Sequence, residues 1–262
     1  MPVAIVTGGA SGIGLAITKL LLTKSYNVII ADRNEELGEK EAKFLGGPDS
    51  VVFVKCEVSD WDSQVQLFKT AKAKWGRIDT VVANAGIGEQ APSFNSMPAE
   101  LTKPNISAIE VCFHGTLYSV YLAVHYLRQN HGEGGRIITT GGQAGIYAFP
   151  SMPIYCATKA GITTMCRSIA LGLSKEKIYV NCLCPGLTLT PVTKPILDTL
   201  PPTMVSPMEN HLKAVTEFLD TDIFGATIES DSGGLYNRKR PEPWSPEHQS
   251  WVYVQEEVEI PN

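Results

Sequence analysis

Short apolar runs alternate with longer segments of helical period along most of this chain. VAIVTG (3–8) is the first run, and in the segment after it (12–25) apolar residues recur at helical spacing. Further runs that predict strands are NVIIAD (27–32), SVVFVKCEV (50–58), IDTVVANAG (78–86), GRIITTGG (135–142), IYVNCLCPG (178–186) and, as a candidate last strand, GATIESD (225–231). Helical segments separate them at about 34–45, 61–75, 107–129 and 153–174. Because parallel strands need crossover connections, this order predicts an α/β fold with one doubly wound parallel sheet.

The composition argues against several classes of protein. The chain has 262 residues, 44% of them hydrophobic, which is enough for a sizeable core. Its net charge is −5 and its longest basic run is RKR (238–240), so nucleic acid and anionic membranes are not expected as partners. We predict neither a signal peptide nor a membrane span. The six cysteines form no CxxC pair and show no metal-binding spacing, so we predict buried, reduced thiols, no metal and a cytoplasmic location.

The segment LTLTPVTKPILDTLPPTMVSPM (187–208) breaks the strand–helix rhythm and is rich in Pro and Thr. It follows the carboxyl end of a predicted strand, which is where open α/β sheets bind ligands. We therefore predict a mobile substrate loop over about 187–215, with an ordinary surface loop as the alternative. His211 lies in this stretch, and the sequence assigns it no role.

The end of the chain is polar, Pro-rich and aromatic. We predict a main domain over 1–235, which includes the substrate loop, and a C-terminal tail over 236–262. This tail is either a disordered end or a docked segment. Its aromatic residues favour docking, for example on a partner subunit: Tyr236, Trp244, Trp251 and Tyr253.

The turn TGGASGIG (7–14) joins the first predicted strand to the first predicted helix. Glycines at this place let the backbone approach a pyrophosphate, and the helix N-terminus adds partial positive charge. The candidate contacts in the turn are Gly8, Ser11, Gly12 and Gly14. The turn therefore predicts a dinucleotide site on a Rossmann-type sheet.

Asp32 ends the second predicted strand. A carboxylate there binds the ribose hydroxyls of NAD and repels the 2′-phosphate of NADP. The alternative role for Asp32 is a helix N-cap, and Arg33 beside it carries a positive charge that could bind the 2′-phosphate of NADP. We predict NAD as the cofactor, with NADP as the alternative.

Tyr155 and Lys159 lie four residues apart in a predicted helix and therefore share one face. An ammonium beside a phenol favours the phenolate, which lets the tyrosine exchange a proton with an alcohol or a carbonyl near neutral pH. A plain surface pair is the alternative. We predict that Tyr155 is a catalytic acid/base and that Lys159 tunes it.

The chain resembles the short-chain dehydrogenase/reductase family over about residues 3–235. The resemblance rests on TGGASGIG, NAG (84–86), YCATK (155–159) and PGLTLT (185–190), and AIVTGGASGIG with EGGRII suggests the hydroxyprostaglandin dehydrogenase-like branch. It implies an NAD(H)-dependent oxidoreductase that interconverts a secondary alcohol and a ketone on a small organic molecule, as a homodimer or homotetramer. It also implies that the cofactor touches Tyr155, Lys159, Ile13, Glu57, Val58, Asn84, Ala85, Gly86, Pro185, Gly186, Leu187, Thr188 and Thr190.

Two positions depart from the family pattern. The family's catalytic Ser falls at Gly142, and its helix Asn falls at Cys112. Candidates to replace the Ser hydroxyl on the substrate side are Thr140, Gln143 and Ser151. Alternatively, Gly142 makes room for a bulky substrate. Two rival functions also stay open: a non-redox isomerase or cyclase of small-molecule biosynthesis, and a catalytically silent dinucleotide-binding sensor.

Overall fold

The computed structural model describes residues 1–90, 94, 97, 99–194, 201–239 and 245. Eight strands in this part of the chain form one sheet: β1 (Val3–Thr7), β2 (Asn27–Asp32), β3 (Val51–Lys55), β4 (Thr80–Ala83), β5 (Gly135–Thr140), β6 (Ile178–Pro185), β7 (Thr227–Asp231) and β8 (Gly234–Asn237). Their order across the sheet is β3-β2-β1-β4-β5-β6-β7-β8. The first seven pair in parallel, which confirms the predicted doubly wound α/β sheet.

Among the described residues, six α-helices connect or cover these strands: α1 (Gly12–Thr23), α2 (Glu35–Leu45), α3 (Trp61–Trp75), α4 (Gly115–Leu127), α5 (Pro153–Leu173) and α6 (Met208–Asp220). Local sequence signals set several of their ends. The Asn34 side chain caps α2 by accepting from the backbone N–H of Leu37 at 3.0 Å. Gly76 ends α3 in the left-handed conformation with φ +75°. A π-helical turn, Ile109–His114, precedes α4 inside the predicted helix 107–129.

The core lies on both faces of the sheet, as near-continuously apolar strands require. On one face Ile5 and Val81 pack with Phe68 of α3 and Ile162 of α5. On the other face, strand residues such as Leu183 pack with α1 and α6. The predicted buried thiols are confirmed for five cysteines, Cys56, Cys112, Cys166, Cys182 and Cys184, whereas Cys156 is half-buried.

Two elements were not predicted. Residues 208–215 of the expected substrate loop belong to α6, because Ala214, Val215 and Phe218 repeat at helical spacing and are buried. The antiparallel strand β8 is short and mostly exposed, so it carries no apolar run, and the predicted boundary between 235 and 236 falls inside it.

Parts of the predicted loop and tail lie outside the described residues, including 195–200, Trp244, His248, Trp251 and Tyr253. Tyr236 lies on β8 and is exposed. Within the described ranges no helix is long and apolar enough to cross a membrane. The same ranges contain no group of three or more His, Cys, Asp and Glu side chains placed to hold a metal ion.

Candidate active site

A cleft of about 410 Å³ opens at the carboxyl ends of the strands, where the strand order reverses between β1 and β4. Doubly wound sheets bind their ligands at this place. Most of the predicted site residues line it together: Gly8, Ser11, Gly12, Ile13, Asp32, Arg33, Glu57, Val58, Asn84, Ala85, Gly86, Thr140, Gly142, Tyr155, Lys159, Pro185, Gly186, Thr188 and Thr190. Four described candidates do not form its wall: Gly14, Leu187, Gln143 and Ser151.

The glycine turn between β1 and α1 is held by close contacts that exclude side chains. A Cβ on Gly14 would lie 2.1 Å from the carbonyl oxygen of Gly8. Gly8 itself has φ +63°, and a Cβ there would lie 2.9 Å from the Cα of Ala85. Gly14 therefore lies beneath the cleft, where its lack of a side chain lets the first turn of α1 pack directly against Gly8. This cradle, with a helix N-terminus behind it, fits a dinucleotide pyrophosphate.

Asp32 lies at the far end of the same half of the cleft. Its carboxylate accepts hydrogen bonds from the backbone N–H groups of Ala10 at 3.2 Å and Asn34 at 3.0 Å. Because Asn34 caps α2, the alternative N-cap role for Asp32 is wrong. Arg33 is exposed at the rim.

The predicted catalytic pair, Tyr155 and Lys159, lies on α5, across the cleft. Lys159 is buried, and its ammonium donates to the carbonyl oxygen of Thr140 at 2.9 Å. The same nitrogen lies 5.5 Å from the centre of the Tyr155 ring. Burial lowers the pKa of Lys159, but the charges of Tyr155 and of the nearby thiols outweigh it, so the pKa lies above the usual lysine value. Lys159 therefore stays cationic beside the phenol.

Cys112 occupies the position where the resemblance expected Asn. It is buried in the π-helical turn, and its sulfur lies 3.4 Å from both the backbone nitrogen and the carbonyl oxygen of Ile87. A Cβ on Gly86 would lie 3.3 Å from this sulfur and 3.7 Å from the ammonium of Lys159. The thiol and the ammonium therefore both lie beside Gly86, on the side where a side chain would stand.

Gly142 lines the cleft with no side chain. Its backbone has φ +145° and ψ +163°, a region that essentially only glycine occupies. A Cβ there would meet nothing closer than the carbonyl oxygen of Pro185 at 3.9 Å. The position expected to carry a hydroxyl is thus open space.

The three predicted substitutes for that hydroxyl are placed differently. Only Thr140 lines the cleft, and its hydroxyl donates to the side-chain oxygen of Asn84 at 3.2 Å. Gln143 turns away, since its amide nitrogen donates to Glu229 at 2.7 Å and lies 3.3 Å from Asp231. Ser151 is exposed in the turn before α5.

Glu229 is a buried carboxylate at the centre of a hydrogen-bond network behind the Gly142 segment. It is completely buried on β7 and accepts hydrogen bonds from Gln143, from the hydroxyl of Tyr147 at 3.1 Å and from the guanidinium of Arg238. The buried carboxylate is therefore matched by one cation and two neutral donors. Through Gln143 it fixes the segment that follows Gly142.

Sequence reasoning missed several residues of the cleft wall: Asn34, Leu37, Cys56, Ile87, Val111, Gly141, Pro191, Val192 and Thr193. Ile87 and Pro191 directly follow the motifs NAG (84–86) and PGLTLT (185–190), so their positions in the sequence could have indicated that they line the cleft. Val111 comes from the π-helical turn, and no local pattern pointed to it.

Comparison with known proteins finds a matching family and several proteins of similar sequence. The sequence profile of the short chain dehydrogenase family matches residues 2–201. The short-chain dehydrogenase/reductase prx6 of Penicillium rubens is 31% identical over 259 residues, which cover 92% of this chain and 87% of that protein. The 15-hydroxyprostaglandin dehydrogenase (NAD(+)) of Rattus norvegicus is 33% identical over 200 residues, which cover 74% of this chain and 71% of the relative.

A solved structure shows the same fold. The crystal structure of 3-ketoacyl-(acyl-carrier-protein) reductase from Brucella melitensis complexed with NADH matches with a TM-score of 0.78 at 23% identity, covering 88% of this chain and 97% of that one. The relatives imply an oxidoreductase that uses NAD or NADP. The resemblance seen in the motifs is confirmed, and the chain belongs to the short-chain dehydrogenase/reductase family.

Proposed function

We propose that this protein is an NAD(H)-dependent oxidoreductase that interconverts a secondary alcohol and a ketone on a small organic molecule. The observation that carries the proposal is the pairing of Tyr155 with the buried ammonium of Lys159, in the wall of a cleft that also contains the glycine turn. A relative named 15-hydroxyprostaglandin dehydrogenase (NAD(+)) supports both the reaction class and the cofactor.

The residues around the glycine turn would hold the dinucleotide, with its pyrophosphate against the turn and its adenosine ribose beside Asp32. A bound NAD(H) supplies or accepts the hydride at its nicotinamide ring. Asp32 favours NAD because a 2′-phosphate would bring further negative charge to its carboxylate.

Tyr155 performs the proton transfer in this proposal. In the reductive direction its hydroxyl donates a proton to the substrate oxygen, and in the oxidative direction the phenolate takes it back. The ammonium of Lys159 stabilises the phenolate, and its bond to the carbonyl oxygen of Thr140 holds it in place. Gly142 leaves the substrate oxygen with one donor fewer than the family pattern, a loss that typically costs about 10²–10³ in rate.

The preference for NAD is tested with Asp32→Ala. We expect the ratio of the NADPH and NADH dissociation constants to fall by about tenfold or more, because repulsion of the 2′-phosphate is lost. Asp49→Ala is the control, since Asp49 is exposed and away from the cleft wall. An unchanged ratio in Asp32→Ala would overturn the assignment of NAD.

A second candidate is a non-redox isomerase or cyclase that keeps Tyr155 as the acid/base. The open space at Gly142 and the thiol at Cys112 favour it, because both remove groups that the family uses in hydride transfer. In this case the dinucleotide would serve as part of the pocket wall.

One experiment separates the two. The protein is incubated with NADH that carries deuterium at the transferable C4 position and with a metabolite extract of its host, and the products are analysed by mass spectrometry. The proposed reaction gives a product one mass unit heavier than its unlabelled control, and Tyr155→Phe slows the formation of this product by about 10²–10⁴. A product that forms without label while NADH is not consumed would establish the non-redox candidate.

We also propose that the protein assembles as a homo-oligomer. Aromatic side chains of α3 and α4 cluster at the surface, where Trp61 lies against Tyr118 and Tyr121 and is itself 38% exposed. Apolar surface of this kind is common at subunit interfaces. A monomer in light scattering at micromolar concentration would refute it.

A further inference from the structure

His211 is fully buried, although no sequence pattern assigned it a role. It lies on α6, which packs against the sheet beside the cleft. Its Nε2 atom lies 2.6 Å from the hydroxyl oxygen of Thr188, and its Nδ1 atom is hydrogen-bonded to the hydroxyl of Ser230 on β7. Thr188 in turn lines the cleft. A buried imidazole thus joins the last parallel strand to the cleft wall.

The hydrogen bonds select one tautomer of this imidazole. The Thr188 hydroxyl donates its single proton to the carbonyl oxygen of Gly186 at 2.8 Å. The contact between Thr188 and His211 therefore needs a proton on Nε2 of the ring. A neutral imidazole then has an unprotonated Nδ1, which accepts from the Ser230 hydroxyl. Burial lowers the pKa of His211 to about 4, in agreement with a neutral ring.

This chain of bonds determines what Thr188 offers to a ligand. Its proton is used by Gly186, and one lone pair is used by His211. What remains is the second lone pair, so Thr188 is an acceptor. Within the nicotinamide half of a dinucleotide, the carboxamide N–H₂ group is the donor that suits it.

We propose that His211 is a positioning residue that holds Thr188 as a hydrogen-bond acceptor for the nicotinamide end of the dinucleotide. The inference rests on the proposed function, because it requires a nicotinamide cofactor. It assigns His211 no contact with the cofactor and no part in proton transfer.

Two substitutions at His211 separate its two bonds. The amide of Gln reaches about as far as Nε2, so His211→Gln keeps a donor to Thr188. The amide of Asn reaches only as far as Nδ1, so His211→Asn keeps a partner for Ser230 and loses Thr188. We measure the dissociation constants of NADH and of ADP-ribose, which lacks the nicotinamide. In His211→Asn we expect NADH to bind about threefold to tenfold more weakly and ADP-ribose to bind as in the wild type. In His211→Gln both should stay near the wild-type values.

A double-mutant cycle with Thr188→Val completes the test. Thr188→Val alone should weaken NADH binding as His211→Asn does, and combining the two should add nothing further. If His211→Asn does not fold, Ser230→Ala replaces it, because it removes the hydroxyl that holds the imidazole ring at Nδ1, and the same loss confined to NADH is expected. Unchanged NADH binding, or an equal loss for ADP-ribose, would overturn the role of His211. A wild-type protein that binds neither ligand would overturn the proposed function together with this inference.

Discussion

The cleft has two halves, one around the glycine turn (7–14) and one around Tyr155. Neighbouring atoms closely surround the glycines of the first half. In the second half, Gly142 borders open space. A Cβ on Gly14 would lie 2.1 Å from backbone, but the nearest neighbour of one on Gly142 would be 3.9 Å away. The shape of the glycine-turn half is thus set by the path of the backbone. The chemistry of the Tyr155 half is set by which side chains are present. The glycine-turn half therefore tolerates few substitutions. The Tyr155 half can lack a hydroxyl at position 142 without a change of fold.

The largest effect should come from the Tyr155 half. Tyr155→Phe removes the proposed proton donor and leaves the ring, so the rate of hydride transfer should fall by about 10²–10⁴. NADH binding should be retained, because the glycine-turn half is untouched. Transfer of deuterium from labelled NADH measures the rate, and fluorescence titration measures binding. A variant that transfers hydride at the wild-type rate would show that the chemistry of this half lies elsewhere.

His211 makes stability depend on pH. Its pKa falls from 6.5 to about 4 on folding, so the unfolded chain binds the proton more tightly between these values. The stabilisation is complete above pH 6.5 and is lost as the pH falls toward 4, by about 3 kcal/mol in total. Urea unfolding at several pH values should show this loss in the wild type and a smaller one in His211→Asn. Equal slopes in the two proteins would contradict it.

The glycine-turn half should respond to a single methyl group. Gly14→Ala forces the first turn of α1 away from Gly8, and we expect the free energy of unfolding to drop by about 1–3 kcal/mol together with a loss of NADH binding. Gly172→Ala is the matched control, since Gly172 is an exposed glycine in α5 and a Cβ added there would have no atom within 4 Å. That control should be stabilised, as alanine is favoured in helices. Equal behaviour of the two variants would show that close backbone contacts do not constrain the glycine turn.

The smallest effect on stability is expected at Gly142. Gly142→Ala and Gly142→Ser have room for their side chains but share an unfavourable backbone conformation, so both should lose about 1 kcal/mol of stability. The serine variant should turn over faster than the alanine variant, because only serine restores a donor on the substrate side. Thermal unfolding and single-turnover rates give both quantities. Identical rates would mean that a hydroxyl at this position points away from the substrate.

The sequence was sufficient for the parts of the molecule where local pattern and fold agree. The apolar runs predicted seven parallel strands, and the turn from Gly8 to Gly14 marked the cleft because its glycines are required by contact. The sequence was insufficient where contacts between distant parts of the chain determine what a side chain does. Gln143 looked like a substitute for the missing hydroxyl, but a carboxylate on β7 holds it. The role of His211 depends on Ser230 and Thr188, which only the folded sheet brings together.

The network around Glu229 has a consequence for how the chain can be shortened. Its carboxylate is buried on β7, while its cationic partner Arg238 comes only after β8 is complete. A chain cut at 235, the domain boundary predicted from the sequence, would keep the anion and discard the cation. The carboxylate that Gln143 contacts would then be buried without its cation, although no residue of the Gly142 segment had changed. During synthesis, too, the Glu229 carboxylate lacks this cationic partner until Arg238 has left the ribosome.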